Sequence, residues 1–355
     1  MRKENIPVSP DVGPIRPPSE AGSLLIRATR NCPWNKCEFC PVYKRSPFEK
    51  RPVEDIIKDI NLYADTGSLY RTAFIQDANS LMMKTPDLIK IISHIKQKFP
   101  HIHRITSYAR ARTVARKPLD ELKKLYKAGL SRLHIGLESG YDALLQWMEK
   151  GHTSKLSEEA GQKIKEAGIS LCFYVILGLG GRLSLEGKQT WRKHALETAR
   201  VLNRVDPDHI RVRTLAVRKG TPLYEKLQKG EFEKSSDVEV IREEELFIKN
   251  LDVTSHFVSD HMSNILMDVK GTLPEDKNQM LSVIRAYLEL PLEEQLRFRM
   301  ETLFRYTGYF PNFLVFNQSL GSSQGKDIAT TIKEMEANQP GSVQNLIDQM
   351  ISGML

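Results

Sequence analysis

Three of the chain's four cysteines, Cys32, Cys37 and Cys40, fall within nine residues, in the run Asn31-Cys-Pro-Trp-Asn-Lys-Cys-Glu-Phe-Cys40. Thiolates this close repel one another unless a cation neutralises them, so a Cys-x4-Cys-x2-Cys loop reads as a metal-ligand spacing. Three protein ligands leave one coordination position open, and an open position is where a metal centre does chemistry. The bare spacing admits other occupants. One is zinc with a histidine as fourth ligand, although zinc ribbons usually pair two Cys-x2-Cys knuckles. Another is a plant-type two-iron ferredoxin centre, whose spacing is also x4 then x2 followed by a distant cysteine. Cys172 is the remaining cysteine. It lies about five residues before the carboxyl end of a predicted strand, hence roughly 17 Å from that end, and reads as a small buried hydrophobe.

The elements that must position these thiols alternate along the chain. Apolar β-like runs predict strands over Ser23–Thr29, Thr72–Gln76, Arg104–Tyr108, Arg132–Leu137, Ile169–Leu177 and His209–Val217. Between them, helical periodicity covers Val53–Ala64, Asp87–Phe99, Pro118–Ala128, Lys155–Ala167 and Lys188–Leu202. Such alternation means parallel strands joined by right-handed crossovers. Six units are too few for an eight-unit barrel. They predict an α/β core, either a partial (β/α)6 TIM-like barrel or a doubly wound sheet, with the functional edge at the carboxyl ends of the strands.

The residues at those ends agree with that rule. The three cysteines follow the first strand, and Gln76, Asp77 and Asn79 follow the second. Arg110 and Arg112 follow the third. Gly136-Leu-Glu-Ser-Gly140 ends the fourth, Gly178-Leu-Gly-Gly181 the fifth, and the sixth carries Arg211, Arg213 and Thr214. Arg211 and Arg213 alternate with Val212 and therefore share one face of their strand. Alone, the glycine run after the fifth strand is as consistent with turn chemistry as with phosphate binding. Met82-Met83-Lys84 reads as core packing.

Beyond about residue 220 the pattern changes to charged helices through Lys249. An irregular polar stretch, Thr254–Lys270, holds His256 and His261, which read equally as substrate contacts or surface histidines. Helical periodicity resumes over Pro274–Leu288 and Leu292–Phe304, Asn317–Gly325 reads as a loop, and Asp327–Leu355 as a loosely attached helical tail. The expected organisation is a polar N-terminal segment at 1–20, a core at 21–222 and a mostly helical C-terminal extension at 223–355.

Composition bounds the setting. The 355 residues are 40% hydrophobic and 27% charged, ordinary for a globular chain. No apolar run approaches the roughly 18 residues of a membrane span, and the proline-rich N-terminus lacks a signal-peptide core. Three clustered cysteines and one distant one make no disulfide framework, which points to a reducing, cytoplasmic setting. The net charge of +8 admits nucleic acid, an anionic small molecule or an acidic redox partner, and equally a merely solubilising surface.

Taken together, Cys32-Pro-Trp-Asn-Lys-Cys37-Glu-Phe-Cys40, Gly-Leu-Glu-Ser-Gly140, Lys150-Gly-His-Thr153 and Lys165-Glu-Ala-Gly168 before Val175-Ile-Leu-Gly178 resemble the radical S-adenosylmethionine (radical SAM) superfamily. The likeness covers roughly residues 20 to 220, on the six-unit reading above. It is nearest to the branch of oxygen-independent coproporphyrinogen oxidase and the methylthiotransferases. The commonest first gap in the family is x3, and here it is x4. The resemblance implies that Cys32, Cys37 and Cys40 hold three irons of a four-iron, four-sulfur cluster. S-adenosylmethionine would chelate the fourth through its amino and carboxylate groups. Reductive cleavage would then yield a 5′-deoxyadenosyl radical that abstracts hydrogen from a substrate. Phe39 would pack near adenine, and Glu138 would accept a hydrogen bond from the cofactor. Asp77 and Asn79 stand where the family's loop meets the methionine amino group, and Arg110 or Arg112 would pair with the methionine carboxylate. Gly178 completes the cofactor-binding set.

Arg30, Trp34, Lys36, Lys44 and Arg45 make the cysteine loop basic and suit docking of an acidic electron donor such as flavodoxin or ferredoxin. A small-molecule substrate is expected. The alternatives are an iron–sulfur electron-transfer or scaffold protein and a radical SAM enzyme that modifies RNA. The chain has no separate RNA-binding module.

Overall fold

The computed structural model describes residues 15–44, 47–304 and 323–354. Arg45, most of the predicted N-terminal segment, the start of the predicted 317–325 loop and Leu355 lie outside the described residues. The chain divides into two compact units, one of 1–135 with 159–171 and one of 136–158 with 172–355.

The first unit is a run of parallel βα steps. Strand β1 (Leu24–Arg27) pairs with β2 (Thr72–Gln76), Leu24 facing Ala73 and Arg27 facing Gln76. Strand β2 pairs with β3 (Arg104–Ala109), and β3 with β4 (Leu130–Glu138), whose last three residues belong to the second unit. Ala73, Phe74 and Ile75 of β2 are buried in succession, the signature of a parallel strand covered on both faces. Helices α1 (Val53–Asp65), α2 (Thr85–Lys98) and α4 (Leu119–Ala128) supply the cover through Ile56, Ile60, Ile91, Ile92, Ile95, Leu122 and Leu125. A short helix, α3 (Ala111–Arg116), was not expected, since only Ala111 and Val114 are buried and arginines hide the pattern.

In the second unit β5 (Ser170–Leu177) pairs from Cys172 onward with β6 (His209–Thr214). Each strand is followed by an amphipathic helix. Helix α7 (Thr190–Val205) buries Ala195, Ala199, Val201, Leu202 and Val205, and α9 (Asp237–Lys249) begins at a capping box made by Ser236 and Glu239. One expectation needs correction. The stretch Thr254–Lys270 is not wholly irregular: β7 (His256–Val258) adds a parallel strand beside β6, and β8 (Gly271–Thr272) pairs antiparallel with it. Three residues with one buried apolar side chain, Phe257, are too few for periodicity to register. Short helix α5 (Asp142–Trp147) escaped for the same reason, lying between β4 and α6 (Ser154–Glu166).

After α8 (Pro222–Gln228) and α10 (Lys277–Leu288), α11 (Leu292–Phe304) meets α12 (Ser323–Asn338) and α13 (Ser342–Met354). Their shared cluster is Leu296, Ile332, Val343 and Ile347, with Met300, Met335 and Met350 against it. Both units are α/β with mainly parallel strands. No helix among the described residues is long and apolar enough to cross a membrane.

Candidate active site

The cysteine loop is held at its neck. Past β1, Thr29 and Arg30 pair antiparallel with Lys50 and Glu49, so the chain leaves and returns through a two-residue ribbon. Inside the neck, Asn31 adopts φ 65°, a left-handed conformation that asparagine tolerates better than most residues. Its backbone N–H donates to Asp77 Oδ2 at 3.1 Å, and its side-chain amide donates to the Pro47 carbonyl at 2.6 Å. At the far side Tyr43 donates its hydroxyl to Asp77 Oδ1. One buried carboxylate, at the end of β2, therefore ties both sides of the loop. Burial raises the Asp77 pKa above the ordinary carboxylate value, against the hydrogen bonds from Tyr43 and Asn31. Burial, then the Asp77 charge, drives the Tyr43 phenol far above its usual range.

Within the loop, Asn35 takes φ 51° and donates to the Tyr43 carbonyl. Lys44 turns inward to the carbonyls of Asn35 (3.2 Å) and Cys37 (2.8 Å), and the Cys40 N–H donates to the Cys37 carbonyl at 3.3 Å. The backbone is thus fixed while all three thiols stay partly exposed, free of disulfides. No three His, Cys, Asp or Glu side chains among the described residues stand close enough to share a single metal ion. A cuboidal cluster takes one thiolate on each of three different irons, a wider spacing. Three partly exposed thiols on a braced loop suit that donor set.

Arg110, just after β3, reaches this loop. Its guanidinium carbon lies 5.4 Å from the centre of the Trp34 ring. Burial lowers its pKa, and the nearby Cys32 and Cys37 sulfurs oppose the shift. Its backbone N–H donates to Asn79 Oδ1 at 3.3 Å, while Asn79 Nδ2 donates to Thr113 at 2.7 Å. Asp77 and Asn79 are both buried, with side chains engaged in bracing the loop and the start of α3. Arg112 points out on α3, exposed, and Phe39 is partly exposed beside Cys40. Of the basic residues around the loop, Lys44 is turned inward and Arg30 pairs with Glu49 at 3.3 Å, whereas Lys36 is exposed, 5.3 Å from the Trp34 ring centre.

In the second unit, the glycine-rich strand ends make room for buried polar groups. Glu138 sits at φ 63° with its carboxylate folded back over Gly136, where it pairs with Lys150 at 2.7 Å. A Cβ on Gly136 would lie 2.0 Å from Glu138 Oε1, so a larger residue there would push the carboxylate aside. Gly178, at φ 74°, donates its N–H to Glu243 Oε1 at 2.8 Å. Glu243 lies 3.4 Å from His194, whose Nε2 donates to the Ile176 carbonyl at 3.0 Å and whose Nδ1 meets the Ser139 hydroxyl at 2.8 Å. Burial pushes Glu243 up to about 8 and His194 down to about 4, so the two face each other uncharged at neutral pH.

Sequence reasoning missed Tyr43, the role of Lys150, and the His194–Glu243 contact. The glutamates left one signal. Val240, Ile241, Phe247 and Ile248 define the buried face of α9, and Glu243 and Glu244 fall on it.

Residues 26–183 match the Radical SAM superfamily. A tRNA-2-methylthio-N(6)-dimethylallyladenosine synthase of Syntrophus aciditrophicus (strain SB) is 29% identical over 194 residues, 52% of this chain and 41% of that protein. A tRNA uridine(34) acetyltransferase of Methanocaldococcus jannaschii is 26% identical over 121 residues, 34% of this chain and 21% of that protein. The chain spans less than half the length of these curated relatives. Among solved structures, the cobalamin-dependent S-adenosylmethionine radical enzyme OxsB aligns over 94% of this chain and 54% of its own, with TM-score 0.48 and 16% identity.

Proposed function

We propose that this chain, whose residues 26–183 match the radical SAM superfamily, is a radical enzyme built on the thiols of Cys32, Cys37 and Cys40. They would hold a four-iron, four-sulfur cluster with one iron left for S-adenosylmethionine. When bound, the pair supplies an electron and a 5′-deoxyadenosyl radical for hydrogen abstraction from the substrate. The chain's own residues do the positioning. Asp77 and Tyr43 fix the loop that presents the thiols. Arg110, partly buried near Cys32 and Cys37, supplies positive charge for the cofactor's carboxylate. Glu138 offers a carboxylate acceptor for the cofactor's hydroxyl or amino groups while Lys150 holds it in place. Phe39 and Gly178 are further proposed cofactor-binding residues.

The observation that carries this reading is the three-thiol loop inside the matched segment, its donors partly exposed and its backbone braced. The test is anaerobic reconstitution with iron and sulfide, reduction with dithionite, and chromatography after adding S-adenosylmethionine. Formation of 5′-deoxyadenosine supports the reading, and an iron-loaded protein that forms none returns it to an electron-transfer or scaffold role.

A second reading concerns the substrate. The relatives are named as tRNA enzymes and this chain carries a net charge of +8, which together support RNA as the molecule acted on. Binding of tRNA that weakens steeply with salt favours it, and salt-independent or absent binding favours a small molecule. Clustered thiols that must stay reduced to take up iron support a cytoplasmic setting, and exposed Lys36 supports an acidic protein such as flavodoxin or ferredoxin as electron donor.

A further inference from the structure

On β6, Arg211 and Arg213 project from one face, in register with Tyr174 and Ile176 of β5. Both guanidinium carbons lie over the Tyr174 ring, 5.9 and 5.3 Å from its centre. The turn after β7 is clamped to the end of this strand by Asn264. Its Oδ1 accepts from the Thr214 N–H at 2.8 Å, and its Nδ2 donates to the Val212 carbonyl at 3.0 Å and to Ser259 at 2.9 Å. The clamp sets Asp260 on Arg211 and His261 beside both arginines.

Among the described residues, the guanidiniums of Arg211 and Arg213 stand together with the Asp260 carboxylate. Burial, then repulsion from Arg213 and Arg211, holds His261 down to about 3, so it adds no charge at neutral pH. His261 Nδ1 accepts from the Ser263 N–H at 3.2 Å, which leaves the ring proton on Nε2 as a donor. Arg213 Nη1 is buried and has no hydrogen-bond partner among the described residues, and neither has Asp260 Oδ1. A guanidinium N–H removed from water needs an acceptor, and planar oxyanions fit its fork.

We propose that Arg213, with Arg211, Tyr174 and His261, anchors a carboxylate or phosphate group of a small-molecule substrate. Arg211 is almost fully buried, which suits a small terminal anion better than the backbone of a polymer. Assigning the anion to the substrate rests on the radical enzyme reading above, whereas the anion site itself does not.

The test is a 31P NMR titration of inorganic phosphate against the full chain, first without its cluster. Saturable line broadening is expected, weakened at least about tenfold in Arg213→Gln and by less in Arg213→Lys, which keeps the charge without the fork. If the glutamine variant fails to fold, the lysine variant carries the comparison. No saturable broadening, or equal broadening in the folded variants, overturns the proposal. On the reconstituted protein, phosphate displaced by acetate but retained with S-adenosylmethionine supports it. Displacement by S-adenosylmethionine overturns it in favour of the cofactor's own carboxylate, and displacement by tRNA alone overturns it in favour of RNA. Phosphate binding without 5′-deoxyadenosine formation sinks the radical reading and leaves the anion site. The reverse pattern sinks the site and leaves the radical reading.

Discussion

The cysteine loop of the first unit and the glycine-rich strand ends of the second treat polar groups in opposite ways. The loop keeps its reactive thiols partly exposed and buries its brace, Asp77 with Tyr43 and the Asn31 N–H. The strand ends bury the polar groups themselves: His194 and Glu243 are almost wholly inaccessible, and Glu138 with Lys150 nearly so. An exposed donor set on a fixed backbone can take up a metal without remodelling the core. A buried polar set gives shape and hydrogen-bond direction, at the cost of sensitivity to protonation.

The largest test breaks the loop's chemistry. Cys32→Ala is expected to abolish iron uptake on reconstitution, measured as iron and sulfide per chain, whereas Cys172→Ala, a buried site within β5, is expected to retain it. Loss of the centre in the Cys172 variant would bring back the two-iron ferredoxin assignment. A weaker perturbation removes the brace. Asp77→Ala strands the Asn31 N–H and the Tyr43 hydroxyl, a loss of roughly 1–3 kcal/mol for each buried group left without a partner. Iron retention under a chelator challenge should fall well below wild type, and Tyr43→Phe, which removes one arm, should lie between. Retention equal to wild type in Asp77→Ala would show that the thiols need no brace.

The second unit is broken by volume. Gly136→Ala drives a methyl into the side-chain tips of Glu138 and Lys150, which must swing aside, and giving up that pair costs about 1 kcal/mol in urea unfolding. Removing the obstacle with Glu138→Ala in the same chain should make the two effects non-additive. Strict additivity would mean that Gly136 serves something other than this pair.

A further effect is a pH slope. Glu243 and Glu244 are each raised to about 8 from a usual value of 4.5, burial being the main cause. The folded chain therefore holds protons that the unfolded chain releases, so stability is greatest below 4.5 and is lost as pH rises towards 8. His194 works the other way, since its lowered value adds stability that is complete above 6.5. Between pH 6.5 and 8 the glutamates alone among these three set the slope, at most about 1.4 kcal/mol per pH unit for each. The melting temperature should fall across that window, and Glu243→Gln should flatten it. An unchanged slope would mean that the helix opens to water at this point.

Much of this was legible in the chain because it rests on local pattern. The six long strands and most helices follow from periodicity, within a few residues at their ends. The cysteine spacing marked a candidate metal site and left its occupant open. What stayed hidden depends on residues far apart meeting in the fold. Asp77 lies 34 residues from Tyr43 and 46 from Asn31, and no spacing rule links them. The Lys150 run was visible as a motif, but its partner was not. Strand β7 was lost among polar neighbours because its one buried side chain, Phe257, cannot set a period.

The most direct measurement is electron paramagnetic resonance of the reduced, air-free, reconstituted protein before and after S-adenosylmethionine. The account predicts a signal from a centre of about four irons that shifts when the cofactor is added and is missing in Cys32→Ala. A two-iron signal, or one indifferent to the cofactor, would contradict it.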